Sequence, residues 1–88
     1  MKTIWKFTLE ITYEQTVEMP TGAALLCVQI QGGKPQLWAL VDPSAPRESR
    51  TIITLDTDEP APDRFGAYLG TYQTHRGAVV SHVFEGVA

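Results

Sequence analysis

Ala23-Ala24-Leu25-Leu26-Cys27-Val28-Gln29-Ile30-Gln31 and Gln36-Leu37-Trp38-Ala39-Leu40-Val41-Asp42 stand either side of Gly32-Gly33-Lys34-Pro35. Two apolar runs of strand length, around glycines that accept positive φ and a proline that presets a turn, read as a β-hairpin. Pairing Gln31 with Gln36 sets a register in which Ile30 meets Leu37, Val28 meets Ala39 and Leu26 meets Val41 on one face. On the other face Gln29 then meets Trp38, and Cys27 meets Leu40. Both faces are largely apolar, so the hairpin is expected at the centre of a sandwich or barrel, or under a neighbouring subunit.

Upstream, Ile4 to Ile11 alternates, with Trp5, Phe7, Leu9 and Ile11 on one face and Lys6, Thr8 and Glu10 on the other. That is the period of a half-buried strand. Thr16 to Met19 predicts a short edge strand stopped by Pro20. Downstream, Asp42 to Ser49 reads as a loop and Thr51 to Leu55 as a β-branched strand. Asp56 to Arg64 is a second loop, rich in acid and proline.

Tyr68 to Thr74 and Ala78 to Glu85 form a closing hairpin around His75-Arg76-Gly77. Pairing Thr74 with Ala78 puts Tyr72 beside Val80, Gly70 beside His82 and Tyr68 beside Phe84, with Leu69 and Val83 on the reverse side. No helical period is sustained outside these segments. The expected fold is all-β, a small antiparallel barrel or sandwich of about six or seven short strands.

The 88 residues provide for one domain, residues 1–88. A hydrophobic share of 43% against 19% charged is enough for that domain to fold. A domain of this size buries only a little over 60% of its unfolded surface, roughly, which makes oligomerisation an expectation. The net charge of -3, with seven basic residues spread along the chain, argues against a nucleic-acid partner. Cys27 is alone and sits in an apolar run, where a thiol is a small buried hydrophobe. Neither paired cysteines nor a signal segment is visible, and no apolar stretch approaches the roughly 20 residues of a membrane span, so the expected compartment is the cytoplasm.

His75 at a hairpin tip and His82 on the last strand lie too far apart to share a metal, and structural zinc wants four ligands where Cys and His together number three. Ser81 and His82 are strand neighbours and point to opposite faces, which blocks proton transfer between them. Asp56, Asp58, Glu59 and Asp63 match no calcium-loop spacing. Gly32-Gly33 precedes a strand, so no helix N-terminus stands behind it to cradle phosphate. The reading is therefore no catalytic residue, no metal and no cofactor.

Aromatic and amide side chains remain as candidate binding residues: Trp38 with Gln29, and Tyr68 and Tyr72 around His82. A ring offers contact area at little entropy cost, and an amide offers both donor and acceptor.

The opening Met1-Lys2-Thr3-Ile4-Trp5-Lys6-Phe7, the block Leu37-Trp38-Ala39-Leu40-Val41-Asp42-Pro43 and the ending Gly70-Thr71-Tyr72-Gln73 through His82-Val83-Phe84-Glu85 resemble a family of short uncharacterised proteins of bacteria and their phages. The resemblance covers nearly the whole chain and carries no activity onto any residue. It implies a small cytoplasmic protein, in the host cytoplasm where the gene is a phage's. The leading expectation is a non-catalytic, homo-oligomeric binding protein that captures a host protein or a nucleotide-like small molecule to counter host defence. A structural or accessory subunit of a larger complex, and a small hydrolase using His82 or His75 with a tyrosine, are the alternatives.

Overall fold

Alternating side chains build seven antiparallel strands, and the computed structural model describes residues 1–87 of the chain. They are β1 (Thr3–Thr8), β2 (Glu14–Pro20), β3 (Ala24–Gln31), β4 (Lys34–Val41), β5 (Arg47–Asp56), β6 (Tyr68–Thr74) and β7 (Val79–Glu85). A three-stranded sheet, ordered β1-β4-β3, packs on a four-stranded sheet, ordered β2-β5-β7-β6. The fold is thus an all-β sandwich; the two sheets do not close into a barrel.

The core lies between the sheets. Leu37, Ala39 and Val41 from β4 and Val28 from β3 meet Ile52, Leu69, Tyr72 and Val83 of the other sheet, with Met19 and Leu9 beside them. Burying Leu, Val, Ile and Met side chains at about 1.5–3 kcal/mol each is the main favourable term in so small a domain. Trp5 and Phe7 flank this core, half-buried, and the Arg47 guanidinium lies 5.2 Å from the centre of the Trp5 ring. At one end of the sandwich Arg50 donates from Nε and Nη2 to the two Glu85 carboxylate oxygens, at 2.6 and 3.1 Å. Its Nη1 donates to the Ala23 carbonyl at 3.0 Å, which ties the second sheet to the entrance of β3. The paired Glu85 holds the Arg50 guanidinium above its ordinary range, against the opposing effect of burial.

Two register expectations need correction. The first hairpin turns on Gly32 and Gly33 alone, with φ of 61° and 80°, so Gln31 pairs with Lys34 and Ile30 with Pro35. Two consecutive positive-φ glycines make a two-residue loop whose twist suits the strands, and Lys34 and Pro35 are freed to join β4. Trp38 accordingly faces Cys27, and Gln29 faces Gln36. A slip of two residues leaves faces unchanged, but a bulge between Leu25 and Cys27 then turns Leu26 out of the core and brings Leu25 opposite Ala39.

In the second hairpin Thr74 pairs with Val79, one residue beyond expectation, because His75, Arg76 and Gly77 form a 3₁₀ turn with positive φ and Ala78 also belongs to the loop. Tyr72 therefore pairs with Ser81 and points into the core, while Thr71 takes the place beside His82 that Gly70 was expected to fill. A bulge between Tyr68 and Gly70 cancels the extra loop residue, so Tyr68 still faces Phe84. The first strand ends at Thr8, and Ile11 lies exposed in the crossover to β2 instead of in the core. β2 is an edge strand, as its proline implied, and β5 extends back to Arg47.

At Gly70 the backbones of β6 and β3 approach each other closely. A Cβ there would stand 2.6 Å from the Val28 carbonyl oxygen and 3.2 Å from the Val28 nitrogen. Backbone atoms on β3 cannot yield that space cheaply, and overpacking added to strain at the φ of 151° costs about 3 kcal/mol. Gly70→Ala should therefore lower the melting temperature by roughly 15 °C, measured by circular dichroism; an unchanged melt would refute the close approach.

The Tyr72 hydroxyl is buried with no partner at bonding geometry. Burial pushes this phenol above its ordinary range; the nearby Ser81 hydroxyl opposes the rise and the Asp56 charge adds to it. A folded pKa above the unfolded value of about 10 means that the unfolded chain releases its proton first, so stability falls as pH rises past about 10. Tyr72→Phe should match or exceed the parent by up to about 1 kcal/mol at neutral pH. Its advantage should widen in alkaline denaturant titrations.

Candidate functional site

The outer face of the three-stranded sheet is built in three rows by the pairing of β1, β4 and β3. Ile4, Leu40 and Ala24 form an apolar row; Lys6, Trp38 and Cys27 form the middle one; Thr8, Gln36 and Gln29 form a polar one. Ile4 is 56% exposed, and Leu26, extruded by its bulge, is 47% exposed beside the apolar row. Trp38, Leu40 and the free Cys27 are half-buried. The polar row is internally bonded, with the Thr8 hydroxyl donating to Gln36 Oε1 at 2.8 Å. The Lys6 stem reaches across the face, and its Nζ donates to Gln31 Oε1 at 2.7 Å.

Lys6 and Lys34 share the side of Trp38, and Lys2 is in step with Ile4 and Lys6, so all three lysines of the chain gather here. Two carboxylates go with them: Asp42, at the end of β4, and Glu10, which the ladder of β1 on β4, continued by the Leu9 N–H donating to the Pro35 carbonyl, brings opposite Lys34. Hydrogen bonds from the Ser44 hydroxyl and N–H hold the Asp42 carboxyl below its usual range, with smaller contributions from the amino terminus and Lys2. The remaining eight acidic residues belong to the other sheet and its loops.

Of the five residues expected to bind, Trp38 and Gln29 lie on this face, in adjacent rows and diagonal to each other instead of directly paired. Tyr72 is a core residue. Tyr68 and His82 are on the opposite outer surface, that of the four-stranded sheet, joined through Thr71: Tyr68 and Thr71 hydroxyls are 2.5 Å apart, and Thr71 Oγ1 is 3.1 Å from His82 Nδ1. The five are thus spread over three surfaces.

On the far side of the ring, His82 Nε2 lies 2.7 Å from Thr57 Oγ1, whose hydroxyl donates to the Val80 carbonyl. Donation from Thr57 to the Val80 carbonyl, across 3.4 Å, would leave its oxygen to accept from Nε2–H, the tautomer in which Nδ1 accepts from Thr71. Both ring nitrogens are engaged by threonines. Ser81, on the opposite face of the strand, donates to Asp56 Oδ1 at 2.7 Å. These bonds fix the His82 ring between the Thr57 and Thr71 hydroxyls, with Ser81 turned away from it.

Two clefts open near Asp56. One, of about 210 Å³, is lined by Ile11, Tyr13, Thr54, Asp56, Glu59 and Ser81; the other, of about 380 Å³, by Asp56, Thr57, Asp58 and Ala78 to Val80. Each is lined by carboxylates and by no lysine or arginine, which suits neither phosphate nor a nucleotide. No group of three His, Cys, Asp or Glu side chains among the described residues is placed to hold a metal. No helix among them is long and apolar enough to cross a membrane.

A two-layer antiparallel sandwich with one apolar, lysine-bordered outer face is the class of protein defined so far. The chain belongs to the family described as domain of unknown function DUF7352, whose model matches residues 1–88. No curated protein and no solved structure matches it.

Sequence reasoning missed Ile4, Leu26 and Leu40 as neighbours of Trp38, and the convergence of the lysines. The parity of Lys2, Ile4 and Lys6 was visible; that β1 lies against β4 was not. The threonine assignment makes a checkable claim: nitrogen-15 NMR of His82 at a pH where the ring is neutral should show the Nε2–H tautomer. The Nδ1–H tautomer would contradict it.

Proposed function

We propose that this is a non-catalytic binding protein that holds another polypeptide on the outer face of its three-stranded sheet. The observation that carries the reading is the uncovered apolar row Ile4-Leu40-Ala24, widened by Leu26 and Trp38, on a sheet whose inner face is already the core. A sheet apolar on both sides is usually covered on both. Strands of six, eight and eight residues, about 4.8 Å apart at about 3.3 Å per residue, give a face of roughly 350 Å². That is about half of what one partner contributes to a standard interface of roughly 800 Å² a side. Its rim, where the lysines stand, must take part as well.

A protein occupant fits better than a nucleotide-like one. The clefts are small and acidic, whereas the apolar face is flat and suits another flat surface. The hydrolase reading loses support from His82, whose two nitrogens are bonded to threonines, and from Ser81, which is bonded to Asp56.

Co-expression of two differently tagged full-length copies in the native cell, followed by mild recovery, tests the reading. Wild-type protein should retain a stoichiometric polypeptide, its own chain or another. Ile4→Ser with Leu26→Ser changes two exposed positions and should cost no more than about 1 kcal/mol of stability, yet reduce retention at least tenfold. Retention of no polypeptide, or retention indifferent to the two substitutions in a folded variant, would sink it.

A further inference from the structure

Four strands of the sandwich stand at sheet edges, and they are finished differently. β3 and β6 face each other, closed by the contact of Gly70 on the Val28 backbone. β2 bonds to β5 through its odd-numbered residues, as the Thr54 N–H donating to the Tyr13 carbonyl shows, so the groups it turns outward belong to Glu14, Thr16, Glu18 and Pro20. Exposed carboxylates and a proline are what blunt such an edge.

β1 is left open. The Leu9 N–H donating to the Pro35 carbonyl continues the ladder in which Thr3, Trp5 and Phe7 bond to β4. The N–H and C=O of Ile4, Lys6 and Thr8 therefore point away from β4, and no strand covers them among the described residues. Two residues further, at Glu10, the same outward pair is taken by the Gln15 side-chain amide, which accepts from the N–H at 3.0 Å and donates to the carbonyl at 2.8 Å. An amide already sits where a further strand would run. Lys6, the charge central on this edge, does not guard it, because its side chain is drawn across the sheet to Gln31.

We infer that β1 pairs antiparallel with β1 of a second copy, across a two-fold axis at Trp5. A second copy supplies an edge open over the same span, with the same stop at Gln15. In that register Ile4 of each copy stands opposite Lys6 of the other and Lys2 opposite Thr8, so the open groups are matched and Glu10 is left to Gln15. A shift of two residues either way puts Lys6 opposite Lys6, or Lys2 opposite Lys6, and like charges directly opposite are destabilising. The two three-stranded sheets become one of six strands, ordered β3-β4-β1-β1-β4-β3, with both outer faces on the same side. The outer surface doubles to roughly 700 Å², close to the roughly 800 Å² that one partner contributes to a standard interface. The pairing stands on the open edge; that the doubled surface is the complete docking site rests on the reading that the outer face holds a polypeptide.

Hydrogen exchange with the full-length protein reads the pairing residue by residue. At about 20 µM the amides of Ile4, Lys6 and Thr8 should exchange freely, while those of Trp5 and Phe7, bonded to β4, and of Glu10, bonded to Gln15, are slowed. At about 1 mM the first three should slow at least tenfold and the others little, as sedimentation shows the mass levelling off at a dimer. Lys6→Pro removes an N–H that the β4 ladder does not use, so it should keep the fold by circular dichroism and weaken dimerisation at least tenfold. The exchange series needs no variant.

Amides of Ile4, Lys6 and Thr8 that exchange alike at both concentrations overturn the inference, as does a mass that grows past two copies or a dimer indifferent to Lys6→Pro. If the pairing fails in this way while a different polypeptide is retained and Ile4→Ser with Leu26→Ser releases it, the docking face stands alone. If the amides slow as expected but the dimer retains no other polypeptide, the pairing stands and the docking face falls.

Discussion

Everything in this sandwich is hung from the place where β6 runs against β3, backbone against backbone, at Gly70 and Val28. Neither strand is hydrogen-bonded to the other; they are the edges of different sheets. With no side chain at Gly70, the edges close to a distance that seals one side of the core. The bulge beside Gly70 lets Leu69 fill the interior while Tyr68 stays outside against Phe84. On the opposite side, β1 and β2 are joined by a crossover in which Gln15 clamps both backbone groups of Glu10. One end is tied by Arg50, bonded to Glu85 and to the Ala23 carbonyl.

That frame explains the exposed face of the smaller sheet. A domain of this length has enough apolar residues for one core, and the inner faces of both sheets consume it. β4, central in its sheet, sends Leu37, Ala39 and Val41 inward and Trp38 and Leu40 outward, so its outward row is apolar with no third layer to cover it. The larger sheet handles its own outer apolar residues differently, since the loop after β5 returns across that surface and sets Phe65 on Phe84. The three lysines gather on the outer surface of the smaller sheet because they came with β1 and β4.

Alternation was enough to read the strands. Ile4 through Phe7, the Ala23–Asp42 hairpin and the closing hairpin are each legible from period two, and Pro20 marked β2 as an edge. What failed was register, at places where one residue more or less enters a loop or bulge. Gly32-Gly33 could turn the chain unaided, and Leu26 and Leu69 could be extruded or swallowed, without any local signal that distinguishes these outcomes. A shift of one residue exchanges the two faces of a strand, which is why Tyr72 passed from a candidate surface group to the core. Trp38 kept its side only because its hairpin slipped by two.

By itself the sequence determined that the chain is all-β, where its strands lie, and that Ser81 and His82 point apart, since those follow from local period and turn chemistry. Only the tertiary structure decided that the strands divide three and four without closing a barrel, that Lys2, Lys6 and Lys34 share a face with Trp38, and that Gln29, Tyr72 and His82 do not meet. Those outcomes depend on contacts between segments far apart in the chain. Their energy comes from which edges and faces fit together, and no local pattern of residues carries that.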